Sequence, residues 1–151
     1  MLTLTPTHLA EISSHGERDY PYECCGLLIG RFDSVDEKVV FETYPISNAR
    51  EESAKRNRFL IEPEELMKGE RYARTNDREV VGFYHSHPDH PARWSQTDLA
   101  EAHWIGCSYV ITSVEKGRAA ITNSFELVGA DESDKKFADE SVEVLQTTAT
   151  K

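Results

Sequence analysis

The sequence predicts a mixed α/β domain of the α+β type, a central sheet with helices packed against it. Three observations predict it. Apolar or alternating runs of strand length recur along the chain, amphipathic segments of helix length stand among them, and the two kinds alternate irregularly. A chain of 151 residues supports one such core, not two.

Thr5-Pro6 reads as a helix start, with Thr5 at the N-cap and proline at the first helical position. Leu9 and Ile12 give that helix an apolar face, and Gly16 marks its expected end. Residues 24–30, Cys-Cys-Gly-Leu-Leu-Ile-Gly, suit a buried strand; 31–37 read as a turn, and Lys38 to Ile46 as the next, alternating strand. Residues 47–57 have no apolar period and read as an exposed loop, followed by a brief extended piece at Phe59-Leu60-Ile61. Pro63 to Arg74 is amphipathic, with Leu66, Met67, Tyr72 and Ala73 as candidate inward residues. Glu79 to His87 is the strongest central strand. A helix is expected from Gln96 to Ile105, stopped by Gly106, and strands over Ser108 to Val114 and Ala119 to Val128 turn at Lys116-Gly117. The domain is therefore expected over 1–129. Residues 130–151 read as a polar tail, partly ordered or disordered, with a marginal helix around Lys136 to Leu145.

Composition narrows the function classes. Acidic residues outnumber basic ones 27 to 17, a net charge of −10, which argues against nucleic acid because binding phosphates rests on clustered Lys and Arg. No apolar run approaches the roughly 18 residues of a membrane span. Met1-Leu2-Thr3-Leu4-Thr5-Pro6 lacks the basic start and apolar stretch of a secretory signal, so a cytoplasmic location is expected. Cys24, Cys25 and Cys107 are expected as reduced, buried thiols, the adjacent pair pointing to opposite faces; a cysteine ligand to a metal is the alternative.

The chemistry concentrates in His85-Ser86-His87-Pro88 and Ser95-Gln96-Thr97-Asp98. Histidines at i and i+2 on an extended segment share a face. A short loop can return Asp98, at the start of a helix, to the same place. Two imidazoles and a carboxylate leave one position of a tetrahedral zinc ion open for water, as in hydrolytic sites. Each piece also has a plainer reading. The histidines can simply hydrogen-bond, and Ser-x-x-Asp ahead of an apolar-periodic segment resembles a capping box. The two readings of Ser95 are compatible, since a capped helix start is a rigid platform for both side chains. Trp94 either walls the site or staples onto the helix, and His90 either meets substrate or is a solvated loop residue.

Together with Glu23-Cys24-Cys25-Gly26, these elements resemble the JAMM (MPN+) metalloprotease signature: a distant glutamate, H-[ST]-H-P, six residues (here Asp89 to Trp94), then S-x-x-D. Flanking text, Val80-Val81-Gly82-Phe83-Tyr84 and Gly106-Cys107-Ser108-Tyr109-Val110-Ile111, is similar too, and the likeness runs from about Leu4 to Gly129. The resemblance is to the small prokaryotic branch, whose members act on ubiquitin-like sulfur-carrier proteins. It implies a curved, mixed, largely antiparallel sheet between helices, related to cytidine deaminases. It also implies zinc (Zn2+) held by His85, His87 and Asp98, with Glu23 as general acid/base and Ser95 as oxyanion stabiliser. The implied reaction is hydrolysis after the C-terminal diglycine of the carrier. A non-catalytic module that binds ubiquitin-like proteins is the alternative. A nucleobase deaminase is set aside, because neither P-C-x-x-C nor H-x-E occurs.

Overall fold

The structure, a computed structural model, describes residues 1–34 and 36–145. Its elements are β1 (Leu2–Leu4), α1 (Pro6–Asp19), β2 (Cys25–Ser34), β3 (Glu37–Ile46), a 3₁₀ turn (Glu52–Ala54), α2 (Pro63–Thr75), β4 (Glu79–Pro88), α3 (Gln96–Glu101), β5 (Ser108–Glu115), β6 (Arg118–Val128), β7 (Lys136–Glu140) and β8 (Val142–Val144). All eight strands form one mixed sheet in the order β7-β6-β5-β4-β2-β3-β1-β8. The pairings are antiparallel from β3 through β2 to β4 and from β5 through β6 to β7. They are parallel where β4 meets β5 and where β1 lies between β3 and β8. The expected class, a largely antiparallel sheet flanked by helices, is the class observed.

β7 and β8 occupy opposite ends of that order, yet only Ser141 separates them in the chain. The sheet must therefore curve until its two edges meet, and Leu2 N donates to Ser141 O (3.0 Å) at the seam. Apolar side chains fill both faces. Leu2, Leu4, Cys24, Leu28, Val40, Val81, Tyr84 and Val110 pack with Ile12 of α1. Cys25, Leu27, Ile29, Phe83, Tyr109, Ile111 and Phe125 pack on the opposite face with Ala73 of α2. Cys24 and Cys25 thus point to opposite faces, and all three cysteines are buried and free. Burial pushes the Cys24 and Cys107 thiols up to about 12, which leaves them protonated and unreactive.

Several boundaries differ from those the sequence predicts. Leu2–Leu4, which has no strand signal of its own length, is fully buried between two parallel partners. α1 runs past Gly16 to Asp19, because Gly16 serves close packing: a Cβ there would meet Val114 Cγ2 at 3.0 Å. The expected turn at 31–37 is largely strand, since β3 supplies partners out to Ser34↔Glu37. Of the candidate inward residues of α2, Met67 and Tyr72 are exposed, whereas Leu66 and Ala73 reach the core. α3 ends at Glu101 rather than Ile105. There Ala102 turns into the core, and Lys135 Nζ caps the carbonyls of Ala100 (3.2 Å) and Ala102 (2.7 Å).

The largest correction concerns the expected tail. Lys136 to Leu145 is not a helix: it carries β7 and β8, so the sheet extends beyond 129. Phe137 packs on Tyr109 and Phe125 (ring centroids 5.3 and 6.3 Å), and the free edge of β6 pairs with Lys136 through Glu140. Residues 146–151 of that expected tail lie outside the described residues.

Candidate metal centre

A bulge interrupts β4 ahead of its two histidines, whose face follows from regular pairing with β2, Cys25 opposite His85. Leu28 pairs with Gly82 but Ile29 with Val80, so Val81 is an extra residue in β4. Val81 and Tyr84 consequently face α1, while Val80 and Phe83 face the other side. His85 and His87 continue that second face at the end of β4, both buried, with their Nε2 atoms 3.2 Å apart. Ser86 points back toward α1 and accepts a hydrogen bond from Cys24 N (2.8 Å), which ties the start of β2 to the motif.

The loop after Pro88 is closely held. Asp89 has a left-handed backbone (φ 58°), and its carboxylate accepts from Tyr20 Oη (2.5 Å) and Lys116 N (2.8 Å). Asn123 Nδ2 donates to Ala92 O (3.0 Å). This path delivers Ser95 as N-cap of α3, and the capping box is fully formed: Ser95 Oγ accepts from Asp98 N and Asp98 Oδ2 accepts from Ser95 N, each at 3.0 Å. The same carboxylate reaches both imidazoles, with Oδ1 3.3 Å from His85 Nε2 and Oδ2 3.1 Å from His87 Nε2. The cap leaves the Ser95 hydroxyl free to act as a donor, since a hydroxyl that accepts one hydrogen bond still has its proton to donate.

The charge states suit a cation. Burial alone would raise the Asp98 carboxyl, but its bonds to His85, His87 and the Ser95 backbone hold it well below the usual carboxylate range. Burial lowers His85 against the pull of Asp98, which favours the neutral imidazole. His87 Nδ1 lies 2.9 Å from Pro91 O, a carbonyl that accepts the Nδ1 proton and leaves Nε2 facing the carboxylate. Two donor atoms about 2.0–2.1 Å from a tetrahedral zinc stand roughly 3.3 Å apart, close to the separations here. His85, His87 and Asp98 could therefore hold such an ion. None of the three cysteines belongs to this group.

Glu23 stands just ahead of β2 and is 4% exposed. Burial, then the nearby Asp98 and Glu101 carboxylates, push its carboxyl up to about 9. Among the described residues, four buried side-chain polar atoms have no hydrogen-bond partner, and Glu23 Oε1 and His85 Nδ1 are two of them. Glu23 opens with His87, Ser95 and Trp94 onto one cavity of about 920 Å³. His90 is also on that cavity, whereas His103 is exposed and pairs with Glu132 (2.7 Å). Asn57 and Arg58 line it too, so the 47–57 loop contributes a wall; Cys24 and Cys25 do not.

Two neighbours of the site are missing from the sequence reading. Phe59 stacks on His85 with ring centroids 4.6 Å apart, and Asn48 bonds the backbone of Glu23. Both lie in or beside a segment without hydrophobic period, where only the fold shows their use.

Residues 5–127 match the family described as prokaryotic homologs of the JAB domain. The chain is 38% identical over 95 residues to a protein of Haloferax volcanii named desampylase, a match covering 63% of this chain and 65% of that one. It is 32% identical over 111 residues to a protein of Thermus thermophilus named probable TtuB-protein conjugate cleaving protease, covering 74% and 69%. In the first match the chain spans just under two thirds of its relative's length. A protein of Desulfitobacterium hafniense solved in solution superposes with a TM-score of 0.82 at 30% identity, covering 97% of this chain and 94% of that one. A JAB1/MPN domain protein of Archaeoglobus fulgidus shares the fold, with a TM-score of 0.55 at 18% identity over 96% and 95% of the two chains.

Proposed function

Because the chain belongs to the prokaryotic JAB-domain family, we propose that it is a zinc-dependent hydrolase that cleaves the bond after the C-terminal diglycine of a ubiquitin-like or sulfur-carrier protein. The observation that carries this reading is the convergence of His85, His87 and Asp98 beside a buried, unpartnered Glu23 carboxyl. The names of the two relatives support the substrate class.

His85, His87 and Asp98 are the proposed ligands. A zinc ion in such a site polarises a carbonyl and acidifies water. Glu23 takes the proton from the attacking water on its carboxylate and returns it to the leaving amine; a cation held beside it would favour the carboxylate form against the burial that raises its pKa. Ser95 donates its free hydroxyl proton to the oxygen that gains charge, from a position the capping box has already set. His87 keeps its orientation through Pro91 O. A glycine tail suits the cavity because it lets the substrate backbone approach closely. No described helix is long and apolar enough to cross a membrane, and reduced cysteines fit a cytoplasmic location.

The test is cleavage of a panel of diglycine-tailed carrier fusions by zinc-loaded protein, with products identified by mass. Release of the carrier ending in its diglycine, abolished in Glu23→Gln, is the expected result. Tight binding of carriers with no cleavage would instead favour the non-catalytic module.

A further inference from the structure

Glu23 precedes β2, where no strand holds it on its outer side; Asn48 does. Asn48 Nδ2 donates to Glu23 O and to Arg58 O, and its Oδ1 accepts from Arg50 N and Leu60 N, all four at 3.0 Å. Two donors and two acceptors are the full capacity of an asparagine side chain. Arg58 O and Leu60 N belong to the two peptide groups flanking Phe59, the ring stacked on His85. On its other side Glu23 N donates to Lys55 O (2.7 Å), and Ala49 N to Leu60 O (2.9 Å) closes the base of the same loop. One amide therefore joins the backbone of Glu23 to both peptide groups of Phe59.

We infer that Asn48 is a positioning residue of this site, which sets Glu23 and the Phe59 ring in fixed relation to His85. This rests on the hydrolase reading above. Asn48 reaches the site only through the main chain of its neighbours, so its contribution is geometric. A displacement of about 1 Å at a reacting group can cost roughly 10²-fold in rate, which is the scale expected when the bonds are lost.

Asn48→Asp separates this from a general loss of structure. It is nearly isosteric and keeps the acceptor for Arg50 N and Leu60 N, but it has no protons for Glu23 O and Arg58 O. On zinc-loaded protein and a diglycine-tailed fusion, Asn48→Asp and Asn48→Ala should lower kcat about 10- to 100-fold. KM and zinc per chain should stay near the parent's. Amide exchange in the zinc-free protein gives a readout besides activity. Leu60 N–H should exchange faster in Asn48→Ala, while the amides of Val110 and Ile111 in β5 keep parental rates. An active parent whose variants retain its kcat, or lose activity only in proportion to lost zinc or folded fraction, would overturn the inference and leave the hydrolase reading standing. So would a raised KM at unchanged kcat. A parent that cleaves none of the carriers overturns both.

Discussion

Lys38 Nζ lies 3.0 Å from Glu140 Oε2, with both side chains only 3% exposed, although β3 and β7 are far apart in the strand order. The pair forms because the sheet curves back on itself. Glu126 accepts from the same ammonium (2.8 Å), and Ser108 and Ser124 donate to Glu140 Oε1 at 2.6 and 2.8 Å. Burial works against the charge of Lys38, but Glu126 and Glu140 outweigh it and raise its pKa. Burial likewise opposes the charge of Glu140, and Ser108, Lys38 and Ser124 outweigh it and lower its pKa.

Removing the ammonium should therefore strand a buried carboxylate. Lys38→Met is expected to cost about 3–5 kcal/mol near neutral pH. The lowered pKa of Glu140 sets the sign with pH: its contribution is complete above the ordinary value of 4.5 and is lost as pH falls through the folded value. The gap in stability between parent and variant should narrow as pH falls, because the stranded carboxylate of the variant takes up its proton at higher pH than the paired one. Urea unfolding across that fall in pH checks it, and a constant gap would count against the pairing.

Phe137 tests whether the strand after residue 135 belongs to the domain. It packs on Trp94, Tyr109 and Phe125, so Phe137→Ala should cost about 3 kcal/mol or more. A dispensable tail would lose nothing measurable in thermal unfolding.

Metal content is the direct check on the ligand set. After zinc addition and dialysis, the protein should hold about one zinc per chain and His87→Ala none. Equal content in the two would remove His87 from the proposed set.

Ser95 has two expected losses, one from the observed cap and one from the proposed contact with the oxyanion. Ser95→Ala should lose about 1 kcal/mol of stability with the cap. It should also lose about 10²- to 10³-fold in kcat if its hydroxyl meets the oxyanion. Loss of stability with full turnover would leave Ser95 as a cap alone.

Much of the site is legible in the chain because its parts are local. Histidines at i and i+2 share a strand face, and Ser95 and Asp98 stand at capping distance, so short-range geometry brings each pair together without knowledge of the rest. Glu23 is different. Many carboxylates surround it in sequence, and only its likeness to a motif separates it from them. Asn48 and Phe59 carry no signal, since their partners are backbone atoms and a ring brought near by a loop of no regular period.

By itself the sequence determined the mixed class, most strands, the starts of the helices and the two histidine and serine–aspartate clusters, all consequences of periodicity and capping. Tertiary structure alone decided the rest. It drew Lys136 to Val144 into two strands, because an unpaired β6 edge and the pocket beside Tyr109 and Phe125 outweigh weak local preference. Pairing with β2, which sets Cys25 opposite His85, gave the histidines their face. Curvature of the sheet then joined residues that pattern cannot relate, because strand pairing acts between segments remote in the chain.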